Sequence, residues 1–135
     1  MAKILLVEDD ADLLRLLQFS FGEQGHSMLA ASNGAEALSL ADQERPDLII
    51  LDIIMPLMDG FETLRLLRRN PPTSNIPVIV ITAKDDTEDI AKGWALGADF
   101  YLTKPFQLAE LLSVANSLLA KEQAPEETQE SAPEI

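Results

Sequence analysis

Pro46-Asp-Leu-Ile-Ile-Leu-Asp-Ile-Ile-Met-Pro-Leu-Met-Asp-Gly60 reads as a strand that runs into a loop and then a helix. Its apolar run, Leu48–Leu51, is short and carries no alternating polar residue. Such a run suits a strand buried on both faces, as in a parallel sheet. Asp52 follows it directly. Beyond Asp52, a proline and a glycine mark a loop, and Asp59 is placed to cap a helix holding Phe61, Leu64 and Leu67.

The rest of the chain repeats this pattern. Ile4–Val7, Met28–Ala31, Val78–Ile81 and Phe100–Leu102 are further short apolar runs bounded by turn residues. Segments of helical period separate and follow them. The first sets Leu13, Leu14, Leu17 and Phe21 on one face, with Gly25 placed to end it. The second begins at Asn33, with Glu36 three residues on, and turns Ala37, Leu38 and Ala41 inward. Asp85 with Glu88 is placed to cap the fourth, whose expected core side is Ile90, Ala91 and Ala95. The last carries Leu108, Leu111, Leu112, Ala115, Leu118 and Leu119 in an i, i+3, i+4, i+7 stripe. Asn70–Pro77, with three prolines, is a loop. Strand and helix alternating along one chain predict an α/β fold with a parallel sheet and right-handed crossovers.

Composition narrows the functional classes. The 135 residues, 47% of them apolar, suffice for one domain with a single core. A net charge of −13 opposes direct contact with nucleic acid and docking on anionic membranes. The absence of cysteine excludes disulfides and thiolate chemistry, and His26 with carboxylates is a poor zinc set. No signal peptide or membrane span is legible, so a cytoplasmic location is expected. Residues 122–135 hold five glutamates and no base, and read as an acidic tail or linker after a domain over residues 1–121.

In an open parallel sheet, ligands bind beyond the carboxyl ends of the strands. Glu8, Asp9 and Asp10 follow the first apolar run, Asp52 the third, Thr82 the fourth, and Thr103 and Lys104 the fifth. The second run ends without a reactive group, so its strand is expected at one side. Clustered carboxylates repel one another unless a cation is present, and oxygen-only ligands suit Mg²⁺. A carboxylate beside Mg²⁺ can take a phosphoryl group, while a lysine and a hydroxyl contact the phosphoryl oxygens.

Four segments, in order, carry a resemblance: Ile4-Leu-Leu-Val-Glu-Asp-Asp10, Pro46–Gly60, Pro77-Val-Ile-Val-Ile-Thr-Ala83 and Gly97-Ala-Asp-Phe-Tyr-Leu-Thr-Lys-Pro-Phe106. Over residues 2–120 the chain resembles the receiver domains of bacterial response regulators. The resemblance implies a single doubly wound (βα)5 domain of strand order 2-1-3-4-5. It implies that Asp52 accepts the phosphoryl group, that Asp9 binds Mg²⁺ directly and Glu8 through water, and that the Ile54 carbonyl is a further ligand. Thr82 and Lys104 are then the phosphoryl-contacting pair, Tyr101 the aromatic switch residue, and Lys104–Pro105 a cis bond. The implied donor is a phosphohistidine on a histidine kinase or phosphotransfer protein. The implied role is a switch that promotes its own phosphorylation and dephosphorylation and is not otherwise an enzyme. Its altered fourth-helix/fifth-strand/fifth-helix surface would control a downstream protein or output domain, with homodimerisation on phosphorylation among its outcomes. Ile54 and Lys84 flank the site, and a bulky Ile54 implies slow loss of the phosphoryl group.

Plainer readings exist for single residues. Asp10 is a helix cap, Met55 and Met58 are loop packing, and His26 is a surface residue away from the site. Trp94 follows Ile90 by four residues and fits either a buried stripe or an exposed partner surface. Two other functions fit less well. An aspartyl phosphatase needs a second acid two residues after its nucleophile, where this chain has Ile54. A flavodoxin-like cofactor binder needs a phosphate loop where this chain has acids.

Overall fold

The computed structural model describes residues 2–53, 60–83 and 87–123. In chain order these form β1 (Lys3–Val7), α1 (Ala11–Glu23), β2 (Ser27–Ala31), α2 (Gly34–Glu44), β3 (Leu48–Asp52), α3 (Gly60–Arg69), β4 (Val78–Thr82), α4 (Thr87–Ala95), β5 (Phe100–Thr103) and α5 (Leu108–Gln123). Every ladder is parallel, and the sheet order is β2-β1-β3-β4-β5. The α/β doubly wound architecture is the expected one, with β2 at an edge.

β3 and β4 are buried throughout, and β1 at all positions but Lys3. Strands enclosed on both faces have no polar face to alternate with, hence the unbroken Ile/Leu/Val runs. The pleat sends Leu5, Val7, Ile49, Leu51, Val78 and Val80 to one face, against Ala37 and Ala41 of α2 and Phe61, Leu64 and Leu67 of α3. Ile4, Leu6, Ile50, Ile79 and Ile81 go to the other, under Leu17 and Phe21 of α1 and Leu111, Ala115 and Leu119 of α5. Each fully enclosed aliphatic chain contributes about 1.5–3 kcal/mol over leaving it exposed.

The helix starts follow local chemistry. Asp10 caps α1, its Oδ1 accepting from Asp12 N at 3.0 Å and Leu13 N at 3.3 Å. Asn33 caps α2 through Glu36 N at 2.9 Å, while the Glu36 carboxylate reaches back to Ser32 N at 3.0 Å. Gly25, just past α1, takes φ +90°, which a side chain would resist. The proposed caps Asp59, Asp85 and Glu88, together with Ile54, Met55, Met58, Lys84 and the chain after Gln123, lie outside the described residues or side chains.

Two expectations need correction. Ala91 and Ala95 of α4 are exposed and Ile90 only half-buried; among the side chains described over residues 90–95, the enclosed position is Gly93. The helix lies beside the edge strand β5, with Gly93 against the Tyr101 ring. His26 is half-buried, not a plain surface residue. Its Nδ1 accepts from Ala2 N at 3.1 Å, which leaves the Nε2 proton for Asn116 Oδ1 at 3.3 Å, tying the residue before β1 to α5.

Arg68 fastens the opposite end of the sheet. Its guanidinium donates to the carbonyls of Gly97 (3.0 and 2.8 Å), Ile76 (2.7 Å) and Ser74 (3.3 Å), and to Asp99 Oδ2 (2.9 Å). Asp99 Oδ2 also accepts from Val78 N at 2.8 Å. Among the described residues, no helix is long and apolar enough to cross a membrane.

Candidate phosphoryl-acceptor site

Parallel strands in this order bring the carboxyl ends of β1, β3, β4 and β5 to one edge. Three backbone bonds carry the ladders past the strand ends and fix the residues there. Glu8 N donates to Ala31 O at 3.0 Å, Ile53 N to Ile81 O at 3.1 Å, and Lys104 N to Thr82 O at 2.7 Å. Asp52 therefore closes β3 in a buried position, with Glu8 buried beside it and Thr82 fully enclosed at the end of β4. Asp9 is exposed.

Glu8, Asp9 and Asp52 each present a carboxylate oxygen within 4.8 Å of the other two. Lys104 Nζ reaches Asp52 Oδ2 at 3.1 Å and Glu8 Oε1 at 3.4 Å. The other Glu8 oxygen accepts from Asp10 N at 3.0 Å. Burial pushes the Glu8 carboxyl up to about 7; the Asp52 charge adds to this, while the Asp10 N–H and Lys104 oppose it. For Lys104, burial pulls the ammonium down, but the bonds and charges of Asp52 and Glu8 outweigh it and hold the pKa above its ordinary value.

The donor set meets the demands of a hard divalent cation: oxygen atoms only, acidic, close together, and open to water on the Asp9 side. Mg²⁺ there would be held by Asp9 and Asp52, with Glu8 near. The Ile54 carbonyl, implied as a further ligand, lies outside the described residues.

Gly60 does more than shape the entry to α3: it sets the start of that helix against the end of β3. Its N–H donates to Ile53 O at 3.0 Å. A Cβ there would stand 2.4 Å from Ile53 Cα and 2.9 Å from the Asp52 carbonyl oxygen, both backbone atoms. Only glycine lets the start of α3 sit this near Asp52. The Asp-Gly pair before a helical pattern was the available signal.

Thr82 and Tyr101 lie on the same side of the sheet. Thr82 is two residues beyond Val80, and Tyr101, the register partner of Val80, packs half-buried into the Val80 layer. Trp94 is 47% exposed, which settles its orientation toward solvent. It meets Phe100 edge-on at 6.4 Å and 77°. Phe100 packs into the other core layer from Tyr101. The Lys104–Pro105 bond is cis. A groove of about 430 Å³ opens next to Lys104, lined by Asp10, Leu13, Leu16, Pro105, Phe106 and Leu108.

Known proteins share this sequence pattern and this fold. The model of the response regulator receiver domain family matches residues 4–116. The chain is 42% identical over 120 residues to Protein PilH of Pseudomonas aeruginosa, covering 89% of this chain and 99% of PilH. It is 48% identical over 120 residues to the probable transcriptional regulator ycf29 of Pyropia yezoensis, covering 89% of this chain but 54% of that protein. Like ycf29, several other curated relatives are about twice as long as the matched stretch. The receiver domain of the Francisella response regulator 1452 superposes with a TM-score of 0.85 at 36% identity, covering 91% of this chain and all of that one. Sequence and fold together place the chain in the response regulator receiver domain family.

Proposed function

We propose that this chain is a phosphorylation-driven switch in which Asp52 takes a phosphoryl group from a phosphohistidine on a histidine kinase or phosphotransfer protein. An Asp52 carboxylate oxygen forms the new P–O bond as the P–N bond breaks. The electron pair returns to the imidazole, which picks up a proton from solvent. Mg²⁺, when bound, neutralises charge on the phosphoryl oxygens. The chain's own residues do the rest. Asp9 would hold the Mg²⁺ directly and Glu8 through water. Lys104 contacts a phosphoryl oxygen from the β5 side. Thr82, at the adjacent strand end, offers the hydroxyl that follows the phosphoryl group, and Tyr101 responds on the same sheet face.

The observation that carries this reading is a buried Asp52 with Lys104 Nζ at 3.1 Å and oxygens of two further carboxylates, Glu8 and Asp9, within 4.8 Å. The groove beside Lys104 gives a donor protein apolar surface next to the acceptor. The readout is the α4–β5–α5 face, with Trp94 and Tyr101 as contact residues for a downstream protein, an output domain or a second copy. The switch is the domain expected over residues 1–121, whose last helix, α5, runs on to Gln123, and the acidic stretch beyond it serves as a tail or linker. The site works in water without direct nucleic-acid or membrane contact, as the acidic charge favours, in the cytoplasm.

The test is intact mass after incubation with acetyl phosphate and Mg²⁺, for wild type and Asp52→Asn. A gain of about 80 Da, one phosphoryl group, is expected in wild type alone. The same gain in both proteins would remove Asp52 from its role.

A further inference from the structure

Gly93 is enclosed within α4, and nothing in the phosphoryl chemistry uses it. Its surroundings are specific. A Cβ on Gly93 would lie 2.9 Å from Tyr101 Cε2 and 3.0 Å from Tyr101 Cδ2, closer than carbon atoms approach. Phe61 Cε1 follows at 3.7 Å, an ordinary contact. The Tyr101 ring thus rests directly on bare α4 backbone. Glycine is costly inside a helix because it loses more backbone freedom than other residues, so the position needs a reason. The ring supplies one.

The atoms in the way matter. At Gly60 the obstructing atoms are backbone and cannot leave. At Gly93 they are the far end of one side chain, and that side chain is attached to a strand through rotatable bonds. A side chain at residue 93 would move the ring before it moved the fold.

We propose that Gly93 is a positioning residue of the switch: the gap it leaves in α4 seats the Tyr101 ring, and filling that gap displaces the ring and weakens its response to phosphorylation at Asp52. This rests on the reading of Tyr101 as the responding residue. Gly93 acts through Tyr101 and touches no reacting atom. Phe61 forms the neighbouring wall of the seat, with Lys92 Nζ 4.8 Å above its ring.

The chain has one tyrosine and one tryptophan, so both rings can be followed without assignment of a full spectrum. The experiment records the Tyr101 ring resonances and Trp94 fluorescence in wild type, Gly93→Ala and Gly22→Ala, before and after acetyl phosphate with Mg²⁺. Intact mass is read on the same samples. Gly22, in α1, has open space where its Cβ would be, so Gly22→Ala tests helix propensity without a clash. Before phosphorylation, Gly93→Ala should shift the Tyr101 resonances and Gly22→Ala should not. After phosphorylation, Tyr101 in Gly93→Ala should move less than about half as far as in wild type, although both gain the phosphoryl mass.

Unshifted Tyr101 resonances in Gly93→Ala, or a full response there, overturn the proposal. So does a wild type that gains the mass while Tyr101 stays still, because the switch reading of Tyr101 then fails. Absence of the mass gain in wild type would instead sink the proposed function, and the three unphosphorylated proteins would still decide whether Gly93 seats the ring. If Gly93→Ala unfolds, a Tyr101→Ala background decides. There the same substitution should raise the unfolding midpoint, since the obstructing ring is gone and alanine favours the helix. A loss of stability as large as in wild type would refute the seat.

Discussion

Lys104 Nζ stands 3.1 Å from Asp52 Oδ2 and 3.4 Å from Glu8 Oε1, so one ammonium spans the carboxylates of two adjacent strands. It serves as a counter-ion to two of the three carboxylates that could hold a divalent cation. Two properties should therefore separate in Lys104→Ala. Phosphorylation by acetyl phosphate should slow by at least about tenfold, because the cation opposing charge on the transferred group is lost. Mg²⁺ affinity, measured by titration calorimetry, should hold or rise, because the competing ammonium is gone. Weaker Mg²⁺ binding in the variant would mean that Lys104 organises the carboxylates and does not compete for them.

Glu8 makes stability depend on pH in the absence of metal. Its carboxyl is raised to about 7 in the folded chain, above the ordinary 4.5. Between those values the folded state holds a proton that the unfolded state has released, so stability falls as pH rises through this window. The difference of about 2.5 units, at 1.36 kcal/mol each, sets the loss at about 3 kcal/mol. Urea unfolding in chelator should show stability declining from about pH 5 to pH 8, with Glu8→Gln much flatter. Mg²⁺ should stabilise most at the alkaline end, where the carboxylate is charged. A wild-type curve that rises across this range would contradict the burial of Glu8.

The strands were the most legible part of the sequence. β1, β3 and β4 are enclosed on both faces, and enclosure writes an unbroken apolar run that polar residues cannot imitate. The strand-end residues Glu8, Asp52, Thr82 and Lys104 followed from those runs, since a parallel sheet fixes which end of each strand faces the site. Two classes of feature stayed hidden. Gly60 and Gly93 matter through space they leave empty, and a glycine symbol does not say what fills the gap. α4 misled because Ile90, Ala91 and Ala95 have a helical spacing, but small residues carry little burial energy and do not decide which side of a short helix faces in. Arg68 was equally silent: its carbonyl partners Ser74, Ile76 and Gly97 are backbone atoms that no residue code displays.

Gly60→Ala should be strongly destabilising. The added Cβ would stand 2.4 Å from Ile53 Cα and 2.8 Å from Ile53 O, so relief requires the backbone of the β3 end or the α3 start to move. A loss of at least about 2 kcal/mol in urea unfolding is expected. Because the obstructed atoms include the Asp52 carbonyl, the remaining folded protein should also phosphorylate more slowly. Gly22→Ala, at an open site, should change neither quantity by more than a few tenths of this amount. A Gly60→Ala protein of wild-type stability would show that the close approach to Ile53 is not required.

Arg68 should separate stability from chemistry in the opposite way. Its guanidinium satisfies three carbonyls and Asp99 at the amino end of β4 and β5, the far end of the sheet from Asp52. Burial lowers its pKa, with Asp99 opposing, which marks a cation held mostly by fixed partners and not by solvent. Removing it leaves the carbonyls of Gly97 and Ile76 without their donor and Asp99 without its cation. Each orphaned group costs about 1–3 kcal/mol when water cannot replace the lost partner. Arg68→Met keeps the stem and removes the donors; it should lower unfolding stability by about 2–4 kcal/mol. Lysine should restore little, because a single ammonium cannot serve carbonyls on both sides of a planar fork. The rate of mass gain from acetyl phosphate should stay within about twofold of wild type at a temperature where the variant remains folded. A large rate loss in folded Arg68→Met would show that the clamp at Gly97 is coupled to the acceptor end of the sheet, and that the two ends are not independent.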